Sequence, residues 1–143
     1  MKVTLVNPPY PPNAHSHPPF IPLGIAYLGA MAEREGYEVN VIDCQAERLT
    51  VEAFRQRISK EQPDVVGVTS TTLLYNQAKQ IMEAAKQEHP NATTMIGGSH
   101  VTFWDENALN ECPSIDVIVR REGELTFVEL LQRVQAKKNF SGV

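Results

Sequence analysis

Four short stretches carry the residue types that could hold or transform a small molecule. Asn7-Pro8-Pro9 opens the segment NPPYPPNAHSHPPFIP, over 7–22, which contains seven of the chain's ten prolines. Thr69-Ser70-Thr71-Thr72 offers four adjacent hydroxyls, able to donate to a phosphate, a ribose or a ring nitrogen. Gly97-Gly98-Ser99-His100 removes two side chains in succession, which lets a large group approach the backbone beside an imidazole. Gly123-Glu124 puts a carboxylate where a helix begins, a favourable place for negative charge. The prolines hold their segment extended and lower its unfolded entropy, so it can form a fixed wall over a ligand. Within it, His15 and His17 are possible metal ligands, although two loop histidines at i and i+2 read first as a solvated pair. No serine–histidine–acid arrangement and no carboxylate cluster for a hydrolytic metal is readable. These stretches are suited to holding a ligand rather than reacting with it, so neither catalytic nor metal residues are expected.

All four follow apolar runs of strand type. KVTLV, YEVNVID, DVVGVTS, ATTMI and IDVIV read as strands. Between and after them stand helical patterns: LGIAYLGAMAERE, TVEAFRQRISKE, TLLYNQAKQIMEAAKQEH, VTFWDENALNE and ELTFVELLQRVQAKK. The first is expected to present Leu23, Tyr27, Ala30 and Met31 as its apolar face, with Pro22 in its first turn and Gly36 closing it. The second presents Val51, Phe54 and Ile58. At least one hydroxyl among residues 69–72 should cap the third.

Regular alternation of strand and helix implies a doubly wound α/β domain, a five-stranded parallel sheet covered on both faces. The fingerprint G-x-G-x-x-G is absent after the first strand, so a flavodoxin-like (Rossmann-like) strand order of 2-1-3-4-5 is predicted. In such sheets ligands lie beyond the carboxyl ends of the strands, where the four stretches fall. The proline segment is about 15 residues long, whereas strand-to-helix loops usually take about 2–6.

The remaining composition bounds the answer. With 143 residues, 42% hydrophobic and 21% charged, the chain has the size and balance of a single globular domain, 1–143. A net charge of −4 without a basic stripe argues against nucleic-acid binding. No apolar run approaches the roughly 20 residues of a membrane span, and the N-terminus reads as a strand rather than a leader, so a cytoplasmic location is expected. Cys44 and Cys112 stand far apart and form no C-x-x-C pair, the pattern of ordinary buried thiols. The tail KKNFSGV, 137–143, reads as the start of a linker.

Together, Val-Asn-Pro-Pro at 6–9, Pro-Leu-Gly-Ile-Ala-Tyr-Leu-Gly-Ala at 22–30, Asp43, Pro-Asp-Val-Val-Gly-Val-Thr-Ser at 63–70, Ile-Gly-Gly-Ser-His-Val-Thr at 96–102 and Gly-Glu-Leu-Thr at 123–126 resemble one family. The chain is similar to the N-terminal cobalamin-binding domain of cobalamin-dependent radical SAM enzymes, a group that includes the anaerobic magnesium-protoporphyrin monomethyl ester cyclase and many methyltransferases. The resemblance implies a corrinoid across the carboxyl rim with its nucleotide tail beside the sheet. Gly97 and Gly98 would make room for the tail. Ser70, Thr71 and Thr72 would bond the tail or a corrin amide. Asn7, Pro8, Pro9 and their loop would border the corrin, together with His100, Val101, Gly123 and Glu124. The motif Asp-x-His-x-x-Gly, which supplies a histidine to cobalt in other cobalamin domains, is missing, so base-off cobalamin without a protein histidine is implied. The cluster-binding Cys-x-x-x-Cys-x-x-Cys is missing too. The 4Fe-4S cluster and S-adenosylmethionine are therefore expected only in a further, C-terminal domain of a longer parent chain that performs methyl transfer or a radical oxidation or cyclisation. Arg121 departs from the pattern, standing where many relatives have glycine. The other reading is a free-standing flavodoxin-like module that binds a different ligand or a protein partner.

Overall fold

A computed structural model of the chain describes residues 1–14 and 20–140. Its strands are β1 (Lys2–Asn7), β2 (Glu38–Asp43), β3 (Val65–Thr69), β4 (Thr93–Gly97) and β5 (Val117–Val119). They form one parallel sheet in the order β2-β1-β3-β4-β5, as the alternation predicts. The helices are α1 (Leu23–Arg34), α2 (Val51–Ile58), α3 (Tyr75–Glu88), α4 (Ser99–Phe103), α5 (Asp105–Glu111) and α6 (Glu124–Gln135).

Successive strand side chains point to opposite faces, so the sheet has two cores. Val6, Val66, Val68 and Ile96 pack under α2 and α3, against Phe54, Ile58, Ile81 and Met82. Leu5, Val65, Met95 and Val119 pack under α1 and α6, against Ile25, Ala32, Phe127 and Leu131. Each large side chain taken fully out of water contributes about 1.5–3 kcal/mol. Thr50 caps α2, its hydroxyl accepting from the Ala53 amide at 3.1 Å. Gly36, at φ +84°, ends α1.

Three local expectations are corrected. The buried face of α1 is Ile25, Gly29 and Ala32, while Leu23 and Tyr27 are each 62% exposed. The cause is close packing: a methyl on Gly29 would already touch Val39, Leu5 and Val41 at 3.5–3.9 Å, so the small residues face the sheet and the bulky ones are turned outward. The segment VTFWDENALNE is not one helix. The backbone breaks at Trp104, φ −129°, between α4 and α5. No hydroxyl of residues 69–72 caps α3, because that helix starts later, after a turn closed by the Leu74 amide on the Thr71 carbonyl at 3.0 Å.

Candidate functional site

Parallel strands bring all the strand-to-helix loops to one edge, and the four stretches meet there in two groups. The first is anchored by Asn7, which is 5% exposed and whose amide donates to Asp43 Oδ1 at 2.9 Å. The same oxygen accepts the amides of Gln45 and Ala46 at 3.1 and 3.2 Å, and Gln45 Nε2 reaches the Pro8 carbonyl at 3.0 Å. Pro8 and Pro9 are buried. The start of the proline segment is thus bolted to the end of β2, and Asn7 uses its side chain for that bolt. His15 and His17 lie outside the described residues.

At the ends of β3 and β4 the two backbones abut. Gly98 adopts φ +108° and ψ 177°, a region open essentially to glycine, and a methyl there would stand 2.4 Å from the Ser70 carbonyl oxygen. Around this contact the Ser70 amide donates to Gly97 O at 2.8 Å and the His100 amide to Ser70 O at 3.3 Å. Ser70 is fully buried, with its hydroxyl on the Thr71 carbonyl at 3.3 Å; Thr71 and Thr72 are exposed. Val101 is fully buried in the core, leaving its backbone as what it can offer a ligand.

His100 lies 4.2 Å from the Tyr75 ring and 6.4 Å from His100's other aromatic neighbour, Trp104, measured between centroids. Its Nδ1 meets Thr72 Oγ1 at 3.2 Å, while Nε2 is buried and takes no partner among the described residues. The flanking rings are fixed by Glu111, which accepts from Tyr75 at 3.1 Å, Trp104 at 3.1 Å and Lys79 at 3.2 Å. Those donors, Trp104 first, hold the Glu111 carboxyl below the usual carboxylate range. Burial, with Glu111 as acceptor, pushes the Tyr75 phenol well up, so it stays a donor.

The second group surrounds a cavity of about 160 Å³ between the sheet, α1 and α6. Its floor is Leu5, Gly67, Met95 and Gly97, and its walls include Ile25, Leu28 and Phe127. Gly98, Arg121, Glu122, Gly123 and Glu124 also line it, giving an apolar interior with a charged rim. Arg121 adopts φ +60°, which costs a side-chain-bearing residue roughly 1 kcal/mol and which glycine would take freely. Its amide donates to Thr102 Oγ1 at 3.0 Å, and that hydroxyl donates to Gly98 O at 3.0 Å, tying the β5 loop to the β4 loop. Arg120 pairs with Asp105 alongside, holding that carboxyl below its usual range.

The cavity therefore gathers Gly97, Gly98, Gly123 and Glu124, whereas Asn7, Pro8, Pro9, Ser70, Thr71, Thr72, His100 and Val101 do not line it. The sequence reading missed Gly67, Gly24 and Leu28. Glycine within Val-Val-Gly-Val was the available signal, since glycine inside a strand often marks a close approach. Much of the exposed bulky apolar surface also lies along this edge: Leu23, Leu73, Phe103 at 86% and Leu125 at 80% all sit in or near strand-to-helix loops.

Burial pushes the Cys44 thiol up to about 12, with Asp43 and Glu47 adding to the shift, and raises Cys112 as well; both are free and inert. Among the described residues no group of three His, Cys, Asp or Glu is assembled for a metal ion, and no helix is long and apolar enough to cross a membrane.

Residues 12–131 match the family described as the B12 binding domain. An uncharacterized methyltransferase of Pyrococcus horikoshii is 43% identical over 85% of the chain, and the anaerobic magnesium-protoporphyrin IX monomethyl ester cyclase of Rubrivivax gelatinosus is 35% identical over 79%. The chain spans 26% and 20% of those relatives' lengths. Among solved structures, the cobalamin-dependent S-adenosylmethionine radical enzyme OxsB, with aqua-cobalamin and S-adenosylmethionine bound, superposes with a TM-score of 0.80 at 22% identity, over 97% of this chain and 19% of that one. The match over most of the chain, on a doubly wound sheet with an apolar cavity at its carboxyl edge, shows that this chain belongs to the B12 binding domain family.

Proposed function

We propose that this domain carries cobalamin for a radical SAM catalytic domain in the same parent chain, with the corrin over the carboxyl edge and the nucleotide tail in the glycine-floored cavity. The observation that carries the reading is that cavity. A dry apolar cavity of about 150 Å³ suffices for a benzene ring, so one of about 160 Å³ that opens at its mouth suits a heterocycle entering edge-on, its sugar and phosphate left at the rim. Gly67 and Gly97 line the cavity floor. Gly123 and Glu124 border the entrance.

The other group at the rim supports the corrin. Asn7, Pro8 and Pro9 form a braced border, and Thr71 and Thr72 have exposed positions from which to meet the corrin's amide side chains. His100 Nε2, enclosed and unpartnered, is poised for a polar group of the ligand, since a buried polar atom without a partner costs about 1–3 kcal/mol. Ser70 and Val101 act from beneath, through backbone and packing. Bound cobalamin supplies a cobalt centre able to carry a methyl group or an electron. The chain's own residues bind and orient it and shield one side from water. The cobalamin is base-off and without a protein histidine on cobalt, a reading that rests on the missing Asp-x-His-x-x-Gly motif.

Two buried, separated cysteines cannot hold a 4Fe-4S cluster, so the cluster and S-adenosylmethionine belong to the further domain. The relatives, roughly four to five times longer than their matching segments, have room for one. The exposed Phe103 and Leu125 at the same edge suit a surface covered by ligand and neighbouring domain.

The test is direct. The purified domain, mixed with hydroxocobalamin and desalted, is expected to keep a corrinoid visible spectrum, and its cobalt(II) form to show no superhyperfine splitting from a protein imidazole nitrogen. Failure to retain any corrinoid overturns the carrier reading. Imidazole splitting with corrinoid retained overturns only the base-off assignment.

A further inference from the structure

Arg121 is at odds with its own backbone. It holds φ +60°, where glycine is at ease, and it is among the residues that line the cavity. Among the described residues it is the one arginine or lysine lining that cavity, and Glu122 and Glu124 line it too. Among the described residues its guanidinium takes no carboxylate; its one hydrogen bond is made by the backbone amide, to Thr102. Arg120, next in the chain, is paired with Asp105, so the two arginines differ in what they leave available. Among the described lining residues, an anion entering the cavity meets the carboxylates of Glu122 and Glu124 and the unengaged guanidinium of Arg121.

Resting on the carrier reading, we propose that Arg121 is a specificity residue that binds the phosphodiester of the cobalamin nucleotide tail, so that this domain prefers complete corrinoids to those lacking the tail. The chemistry is that of a planar, permanently charged donor fork meeting a phosphate, at a mouth whose other charges would repel it. A ring occupying the apolar interior leaves its ribose and phosphodiester at the level of Arg121. The unfavourable φ is retained because the side chain has this task; glycine would relieve the backbone and lose the charge.

The experiment titrates the domain with hydroxocobalamin and with cobinamide, which lacks the phosphodiester, ribose and base, while thermal unfolding is followed without ligand. Wild type should bind cobalamin more tightly than cobinamide. Arg121→Gln should weaken cobalamin binding about fivefold and leave cobinamide within twofold, and Arg121→Lys should restore much of the loss. Arg121→Gly should weaken cobalamin as much as the glutamine variant while raising Tm by about 3 °C. That opposition of affinity and stability is not expected of a merely structural arginine. Equal weakening of both corrinoids overturns the proposal by assigning Arg121 to the corrin, and no change in either overturns it by making the side chain a bystander. A wild type that retains cobalamin while Arg121→Gln matches it sinks this inference alone; a wild type that binds neither corrinoid sinks the carrier reading and this inference with it.

Discussion

Beneath α2 and α3 the sheet presents Val6, Val66, Val68 and Ile96, and the space above them is filled by Phe54, Ile58, Ile81 and Met82, none of these eight more than 3% exposed. Beneath α1 and α6 Leu5, Val65, Met95 and Val119 pack as well, but beside Gly67 and Gly97 a cavity of about 160 Å³ remains. The strands are shared, so hydrogen bonding is not the difference. Two glycines that line the cavity mark it, on neighbouring strands: Gly67 pairs with Met95 and is overlain by Leu5, whose Cδ2 a methyl there would meet at 2.8 Å, and Gly97 lies beside Thr69 and Val119. One face is built for stability and the other gives up contacts to make room. A void forfeits the dispersion contacts its lining would otherwise make, so such an opening is retained only where something else fills it.

Substitution should separate the two faces. Phe54→Ala on the filled face leaves a cavity that the surroundings can only partly close, and should cost about 3–5 kcal/mol, lowering Tm by roughly 10 °C. Corrinoid affinity, measured where the variant is still folded, should stay near wild type. A cost below about 1 kcal/mol in denaturant titration would mean that this face is looser than it looks. Gly24→Leu on the open face should do the reverse. A methyl on Gly24 meets nothing within 4 Å, and the residue lines the cavity, so the added side chain can enter empty space. Stability should hold or rise by up to about 1 kcal/mol, because glycine is a poor helix former. Retention of hydroxocobalamin should fall roughly tenfold or more, the cost of overfilling a fitted space. Undiminished retention would remove this cavity as the seat of the tail.

The same contrast explains what the sequence could disclose. The filled face follows from pattern: Val51, Phe54 and Ile58 at helical spacing name their buried side without knowledge of neighbours. The open face does not. On α1 the periodic bulky residues Leu23 and Tyr27 point outward, because Gly29 lets the helix lie close on Leu5 and Val39. Periodicity counts size, and here small residues make the contact. Gly97 and Gly98 were legible as an anomaly, but their separate reasons were not. Gly98 is required by the approach to Ser70, which belongs to another strand's loop, and Gly97 acquires its meaning from Gly67 through the register. The break at Trp104 was equally hidden; there the indole reaches Glu111, seven residues on.

Glu111 offers the finest test, because it extends the filled face up to the carboxyl edge. Its carboxylate gathers Trp104, Lys79 and Tyr75, so α5 is held to α3 and the rings are set beside His100. Those donors favour the ionised form and lower its folded pKa below the usual carboxylate range. A carboxyl depressed on folding contributes stability that is fully present above its unfolded pKa, near 4.3, and is lost as pH falls through the folded value. Glu111→Gln should therefore lower Tm at pH 7, by less than either substitution above changes its own readout, since the group is open to solvent. The gap between variant and wild type should hold down to about pH 5 and close steadily below it, as the wild-type carboxyl takes up its proton. If the gap is the same at pH 3 as at pH 7, ionisation plays no part in holding α5. The filled face would then end at the core, with the rim aromatics held by packing alone.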